Sequence, residues 1–475
     1  MSAVEAGGIL IGRFALAGAC LAILLMPAWW LAGRIQENES SPFWRLLWAT
    51  GLALVGYLSF VNLAGRLAGN STGVSLGYLT LNLVAGALVW HRWPAQASWS
   101  SLAFTWRSWL GPTALAMVLA LPQLFLAVST NYFDEAASSA IHLTAANQFA
   151  EGVFPPRHNA LPDVAIKYHY GFTILSGTVR WLTGLSANVS VDVVSTLLWL
   201  FIFLFVFFWF KELGCKRFVA FWGGFAALLG GGLGWMYLPR IEAYSGDSKV
   251  PEPSELMHRW DASRGGLENL LANAHVPGMH LRNTDASLSS LPWDIAAQFQ
   301  QHAVALGLAL TVFALAAFVA WQRKSRGLSV ALMVTNVATF GLLSLAHAAF
   351  GAMAGLTAGC WLLARWLRRR TRTDLLRGLC FGIGVGGLTL LHGGLFARGP
   401  QYGGDAVATL RDTFGYSVGG VRGFVNWNLA SFGVPLLLAL AAWGLHRWRR
   451  DASSTDRNTL FGLLTVLAII SWSIP

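Results

Sequence analysis

From Val193 to Phe210 the chain reads VVSTLLWLFIFLFVFFWF, with no charged residue, over nearly the ~20 residues a helix needs to cross a bilayer. That run limits the fold to one whose solvent is largely lipid. Composition agrees: 55% of the 475 residues are hydrophobic, 12% are charged, and the mean hydropathy is +0.53, whereas a soluble domain carries roughly twice that charged share. The expectation is an all-α protein, a polytopic transmembrane helical bundle.

Apolar spans are expected at about 9–31, 44–64, 72–91, 109–128, 190–210, 217–238, 297–321, 328–346, 348–366, 375–396, 430–446 and 459–475. That makes about twelve. The first is too long for the apolar core of a signal peptide and is followed by no small-residue cleavage site, so it is kept as a span. The last ends at Pro475 with no polar flank, which leaves room for a longer natural chain. No internal repeat is visible. Cys20, Cys360 and Cys380 lie in apolar segments and Cys215 in a short basic loop, a placement that gives neither a disulfide framework nor a CxxC metal site.

Charge sets the expected orientation. The connections 33–45, 92–108, 211–217, 322–327, 365–377 and 446–458 hold 20 of the 33 basic residues. The longer loops 131–189, 239–296 and 397–430 hold 11 basic residues and 14 of the 22 acidic ones. The positive-inside rule puts the basic turns in the cytoplasm, and the long loops and N-terminus outside. The net charge of +11 therefore reflects topology, and no nucleic-acid partner is expected. One decision carries this reading. Tyr168 to Gly184 is apolar but only about 25 Å long as a helix, against a ~30 Å hydrocarbon core. It is read as an amphipathic helix at the outer interface. The proline-bearing loop 239–296 is read as a lid over the outer face.

The polar stretch Asn131 to Tyr170 holds the candidate chemistry. Asp134 and Glu135 open it and precede a short amphipathic helix, with Ile141, Ala145 and Phe149 on its apolar side. A carboxylate pair at a membrane surface can accept a proton from a hydroxyl or hold a divalent cation. Its structural alternative is a pair that stabilises a helix N-terminus. Lys167, Tyr168, His169 and Tyr170 close the stretch and suit a phosphate, which Lys neutralises and Tyr or His hydrogen-bond. The alternative there is an interfacial aromatic belt with a snorkelling Lys. His302, His347 and His392 fall near the outer ends of three spans, on the level of His169, although each alone is a common packing residue. Their spacing defines no metal site, and whether a metal is needed stays open. The glycine runs 223–235 and 382–387 lie inside spans, where close helix packing explains them. No GxSxG, HExxH or Walker pattern occurs, and the Asn-x-Ser/Thr triplets at Asn70 and Asn188 carry no weight.

The order of features resembles that of a known family. A span ends, YFDE follows, an amphipathic stretch closes on Gly-x-Phe-Pro-Pro, and a Lys/Tyr/His cluster opens an interfacial helix. This resembles the first outer loop of the GT-C superfamily, polytopic glycosyltransferases that use polyprenyl-phosphate-linked sugars, such as protein O-mannosyltransferases and aminoarabinose transferases. The segments FQQHAVALGLAL (Phe299–Leu310) and LAHAAFGAMAGL (Leu345–Leu356) are similar to pieces of uncharacterised bacterial members. The resemblance covers about 109–370. It implies that Asp134 deprotonates or orients the acceptor, that Glu135 supports it, and that Lys167, Tyr168 and His169 face the donor phosphate. It also implies a division into N-terminal helices 1–108, a catalytic core 109–396 with outer loops 131–189 and 239–296, and C-terminal helices 397–475. The partners implied are a polyprenyl-phosphate sugar donor, the lipid bilayer and a glycan, lipid or protein acceptor, in the bacterial inner membrane with the active site extracytoplasmic. The rival reading is a transporter or flippase, which would place ionisable pairs at mid-membrane or on inverted repeats.

Overall fold

A computed structural model describes residues 3–35, 41–92, 110–115, 117, 143–157, 166, 170–229, 302–323 and 326–393. Among them the regular structure is helical, with a single antiparallel bridge, Asn70 to Val153, and no strand. The helices are α1 (Ala3–Ile35), α2 (Pro42–Ala68), α3 (Ser71–Arg92), α4 (Thr144–Ala150), α5 (Gly171–Thr183), α6 (Ala187–Glu212), α7 (Arg217–Leu229), α8 (His302–Arg323), α9 (Arg326–Ala346), α10 (Ala348–Arg369) and α11 (Arg372–His392). Among the described residues six are long and apolar enough to cross a membrane: Ile11–Ile35 of α1, α2, α3, α6, Ala305–Gln322 of α8, and α11. Val330–Ala346 is a shorter apolar helix. In α10 only Ala348–Ala364 is free of charge. The expected spans at 430–446 and 459–475, and most of 109–128, lie outside the described residues.

The ends of these helices are written locally. Ser41 caps α2 by accepting from the Trp44 N–H at 3.2 Å, and Pro42 follows it at the first helical position, where the missing N–H costs nothing. Gly69 ends α2 at φ 67°, a left-handed conformation that only glycine adopts freely. Ser186 and Thr371 cap α6 and α11 in the same way as Ser41.

The core is aromatic. Trp44 and Phe205 lie 4.8 Å apart between ring centroids, as do Phe43 and Phe208, so α2 and α6 run antiparallel. Phe313 of α8 meets Trp48 at 5.2 Å and Phe205 at 5.8 Å. A second cluster joins Phe318 of α8, Phe340 of α9 and Phe381 of α11, with the last two at 5.2 Å. Such pairs prefer edge-to-face or offset contact and add about 0.5–1.5 kcal/mol each beyond burial. Asn336, fully buried on α9, donates to the carbonyls of Ala317 and Leu332, which hydrogen-bonds α9 to α8. Glycines let α9 and α11 run parallel in contact: a β-carbon at Gly341 would lie 2.6 Å from that of Leu388, and one at Gly384 would lie 2.8 Å from Val337.

The helix ends sort into two sets. One gathers the turns α1–α2, α6–α7, α8–α9 and α10–α11, with Arg45 stacked over Trp29 at 4.4 Å and Arg365 paired with Asp374 at 3.0 Å. This is the basic end. The other gathers the α2–α3 turn, α4, the starts of α5, α6 and α8, the α9–α10 turn and the end of α11. Helix α5 starts at this second end. Its 13 residues make roughly 20 Å, too short to span. Tyr170, just before it, bonds Asn62 of α2, and Thr178 bonds Tyr57 of the same helix. The helix stays at this end, with Gly177 against α4, and buries Phe172, Ile174 and Ser176.

Candidate functional site

Of the residues singled out by sequence, Asp134, Glu135, Lys167, Tyr168 and His169 lie outside the described residues. The residues on either side of the Lys167–His169 cluster, Ile166 and Tyr170, are described. On one side Ile166 donates its N–H to the Pro156 carbonyl at 2.9 Å. On the other, Tyr170 is 3% exposed and its hydroxyl donates to Asn62 Oδ1 at 3.0 Å.

Asn62 sits near the end of α2, fully buried. Its amide nitrogen lies 3.0 Å from His392 Nδ1 and donates at 3.0 Å to the His392 carbonyl, tying α2 to the last residue of α11. With the amide as donor, Nδ1 is the acceptor and the neutral ring keeps its proton on Nε2. That atom is buried and has no hydrogen-bond partner among the described residues. One helical turn beyond Asn62, Arg66 donates to the Leu391 carbonyl at 2.9 Å. Burial pushes the Tyr170 hydroxyl up to about 12, and the nearby Arg66 charge pulls the other way. The phenol therefore stays a neutral donor at physiological pH.

The Gly-Val-Phe-Pro-Pro segment is pinned to the same place. Phe154 stands edge-on to Phe149 at 6.0 Å and to Tyr170 at 5.9 Å, against Gly65 of α2. Ser71 at the start of α3 donates its hydroxyl to the Phe149 carbonyl at 2.7 Å and its N–H to Gly152. Gln148 bonds the backbone of Arg157 in both directions, at 2.6 and 2.9 Å.

The other histidines approach from α8, α9 and α10. Gly171 lies against the α9 terminus, where a β-carbon would meet the Leu345 carbonyl oxygen at 3.0 Å. His347 is two residues further on, in the α9–α10 turn. Its ring meets Phe350 edge-on at 5.0 Å, and burial pushes its pKa down to about 4. Gly307 of α8 faces the His347 β-carbon, and His302, which begins α8, lies five residues before it, about 7.5 Å along the axis. Tyr170, His302, His347 and His392 thus belong to one end of the bundle. Among the described residues no three His, Cys, Asp or Glu side chains gather as a metal ligand set.

Sequence reasoning missed Asn62 and Arg66. The signal existed: an amide and a guanidinium one turn apart close an otherwise apolar span, and polar groups at such depth are costly unless used. The chain matches no protein family, no curated protein and no solved structure.

Proposed function

We propose that this protein is a membrane glycosyltransferase that moves a sugar from a polyprenyl-phosphate donor to an acceptor, at the end of the bundle opposite the arginine-rich turns. One observation carries the reading. The segments before and after Lys167–His169 are anchored, through Pro156 and Asn62, to the end where Tyr170, Arg66, His347 and His392 gather. Cations and neutral donors at the border of a lipid phase are what a lipid-linked phosphate leaving group requires.

In this reading the donor's polyprenyl chain stays in the bilayer while its phosphate lies against Lys167, Tyr168 and His169. Asp134, supported by Glu135, accepts the proton of the acceptor hydroxyl as the C–O bond to the sugar forms. The bond to the lipid phosphate breaks through a state with oxocarbenium character, and the phosphate leaves with its electron pair. By the positive-inside rule this end is extracytoplasmic, in a bacterial inner membrane. The test is Asp134→Asn in vesicles where consumption of a lipid-linked sugar is followed. The expected outcome is loss of transfer by about 10²-fold or more with the protein still folded. Transfer at the wild-type rate ends the proposal, and absence of transfer by the wild type itself is what a transporter or flippase predicts.

A further inference from the structure

Between α10 and α11, at the basic end, lies an apolar hollow of about 410 Å³. Gly355 and Gly359 of α10 face it from one side, Gly378, Gly382 and Gly386 of α11 from the other, and Trp366 stands near its mouth. These glycines are not points of close helix contact. A β-carbon at Gly355, Gly359, Gly382 or Gly386 would meet nothing within 4 Å, and one at Gly378 would find only Leu362, at 3.9 Å. The hollow exists because side chains are missing from two facing stripes. From Asp374 to Gly386 it extends twelve residues of helix, about 18 Å, a little over half of the ~30 Å hydrocarbon core. That is the depth of one leaflet.

The mouth carries charge of one sign. Asp374 is committed to Arg365, at 3.0 Å, and to Thr371. Arg368, Arg369, Arg370, Arg372 and Arg377 surround the turn, and among the described residues no carboxylate pairs with them. Four of these five are exposed. An apolar groove one leaflet deep, opening on guanidinium groups with no carboxylate partner among the described residues, beside Trp366, has the complementary form of a lipid with a negatively charged headgroup.

We propose that the α10–α11 groove binds an anionic phospholipid of the leaflet at the basic end. One acyl chain lies along the glycine stripes, and the phosphate is held by the arginines of the turn. The proposal is independent of sugar transfer, which is assigned to the opposite end.

The probes are phosphatidylglycerol and phosphatidylcholine with identical acyl chains, offered to the full-length purified protein, with retained lipid read by native mass spectrometry. The wild type is expected to retain phosphatidylglycerol over phosphatidylcholine on the order of tenfold or more. Gly382→Leu combined with Gly386→Leu puts side chains into the hollow from positions where an added β-carbon meets nothing within 4 Å and favours the helix, and should abolish retention of both lipids. Arg369→Gln, Arg372→Gln and Arg377→Gln together should keep a bound lipid and lose the headgroup preference. Equal retention of the two lipids by the wild type overturns the proposal. So does undiminished phosphatidylglycerol on the leucine-filled variant, the result expected if another segment of this chain covers the groove.

Discussion

Asn62 hydrogen-bonds two residues that the chain separates widely: Tyr170 at 108 positions and His392 at 330. Asn62→Ala leaves the Tyr170 hydroxyl and the His392 acceptors without their partner in a buried site, a cost of about 1–3 kcal/mol. Tyr170→Phe removes one donor and costs about 1 kcal/mol. Because both act on one network, the double variant should fall short of the sum by at least ~0.5 kcal/mol. Thermal unfolding of the four proteins in detergent measures it, and strict additivity would break the network apart. His347 gives a pH dependence of fixed sign. Its folded pKa of about 4 lies below the ordinary 6.5, so the stability it contributes is complete above pH 6.5 and is lost as pH falls towards 4. The melting temperature of the wild type should drop between pH 7 and 5 by more than that of His347→Gln. Equal drops would move the titration elsewhere. His302, His347 and His392 could be assigned to helix ends from the sequence, because a histidine beside an apolar run marks its limit. The role of Asn62 could not. A lone Asn in a span has no visible partner until the helices are packed.

Among the elements, α5 depends most on its neighbours. Its length already barred it from crossing the membrane. Its seat was not legible, because it is set by Tyr57 and Asn62 of α2, to which the chain offers no local clue. Gly177 is where α5 admits α4: a β-carbon there would lie 2.7 Å from that of Phe149 and 2.9 Å from the Ala146 carbonyl oxygen. A backbone oxygen cannot step aside as a side chain can. Gly177→Leu is therefore expected to cost about 1–3 kcal/mol and to lift α4 from α5, seen as faster proteolysis within residues 144–157. Gly77→Leu on α3, where an added β-carbon meets nothing within 4 Å, is the control and should cut at the wild-type rate. Equal rates for both variants would mean that α4 is held by something other than this contact.

At the scale of the whole molecule the helices divide their ends between a basic side and a polar side, and the proposed chemistry needs the loops before α5 and before α8 to share the second. In a background freed of Cys20, Cys215, Cys360 and Cys380, single cysteines at Ser138 and Ser289 should react with an impermeant maleimide from one side of the membrane. A cysteine at Arg370 should react from the other. Labelling of Ser138 and Ser289 from opposite sides would remove the common site. What the sequence settled alone is the lipid-soluble helical character of the protein and the position of its basic turns. A bilayer makes each spanning segment satisfy its own backbone hydrogen bonds, so the requirement is local and appears as apolar runs between arginines. The tertiary structure alone decided which polar side chains meet, which glycines are contacts and which are openings. Gly341 and Gly382 look alike in the sequence, yet one touches Leu388 and the other faces a hollow. That difference comes from the neighbouring helix, whose identity no run of adjacent residues encodes.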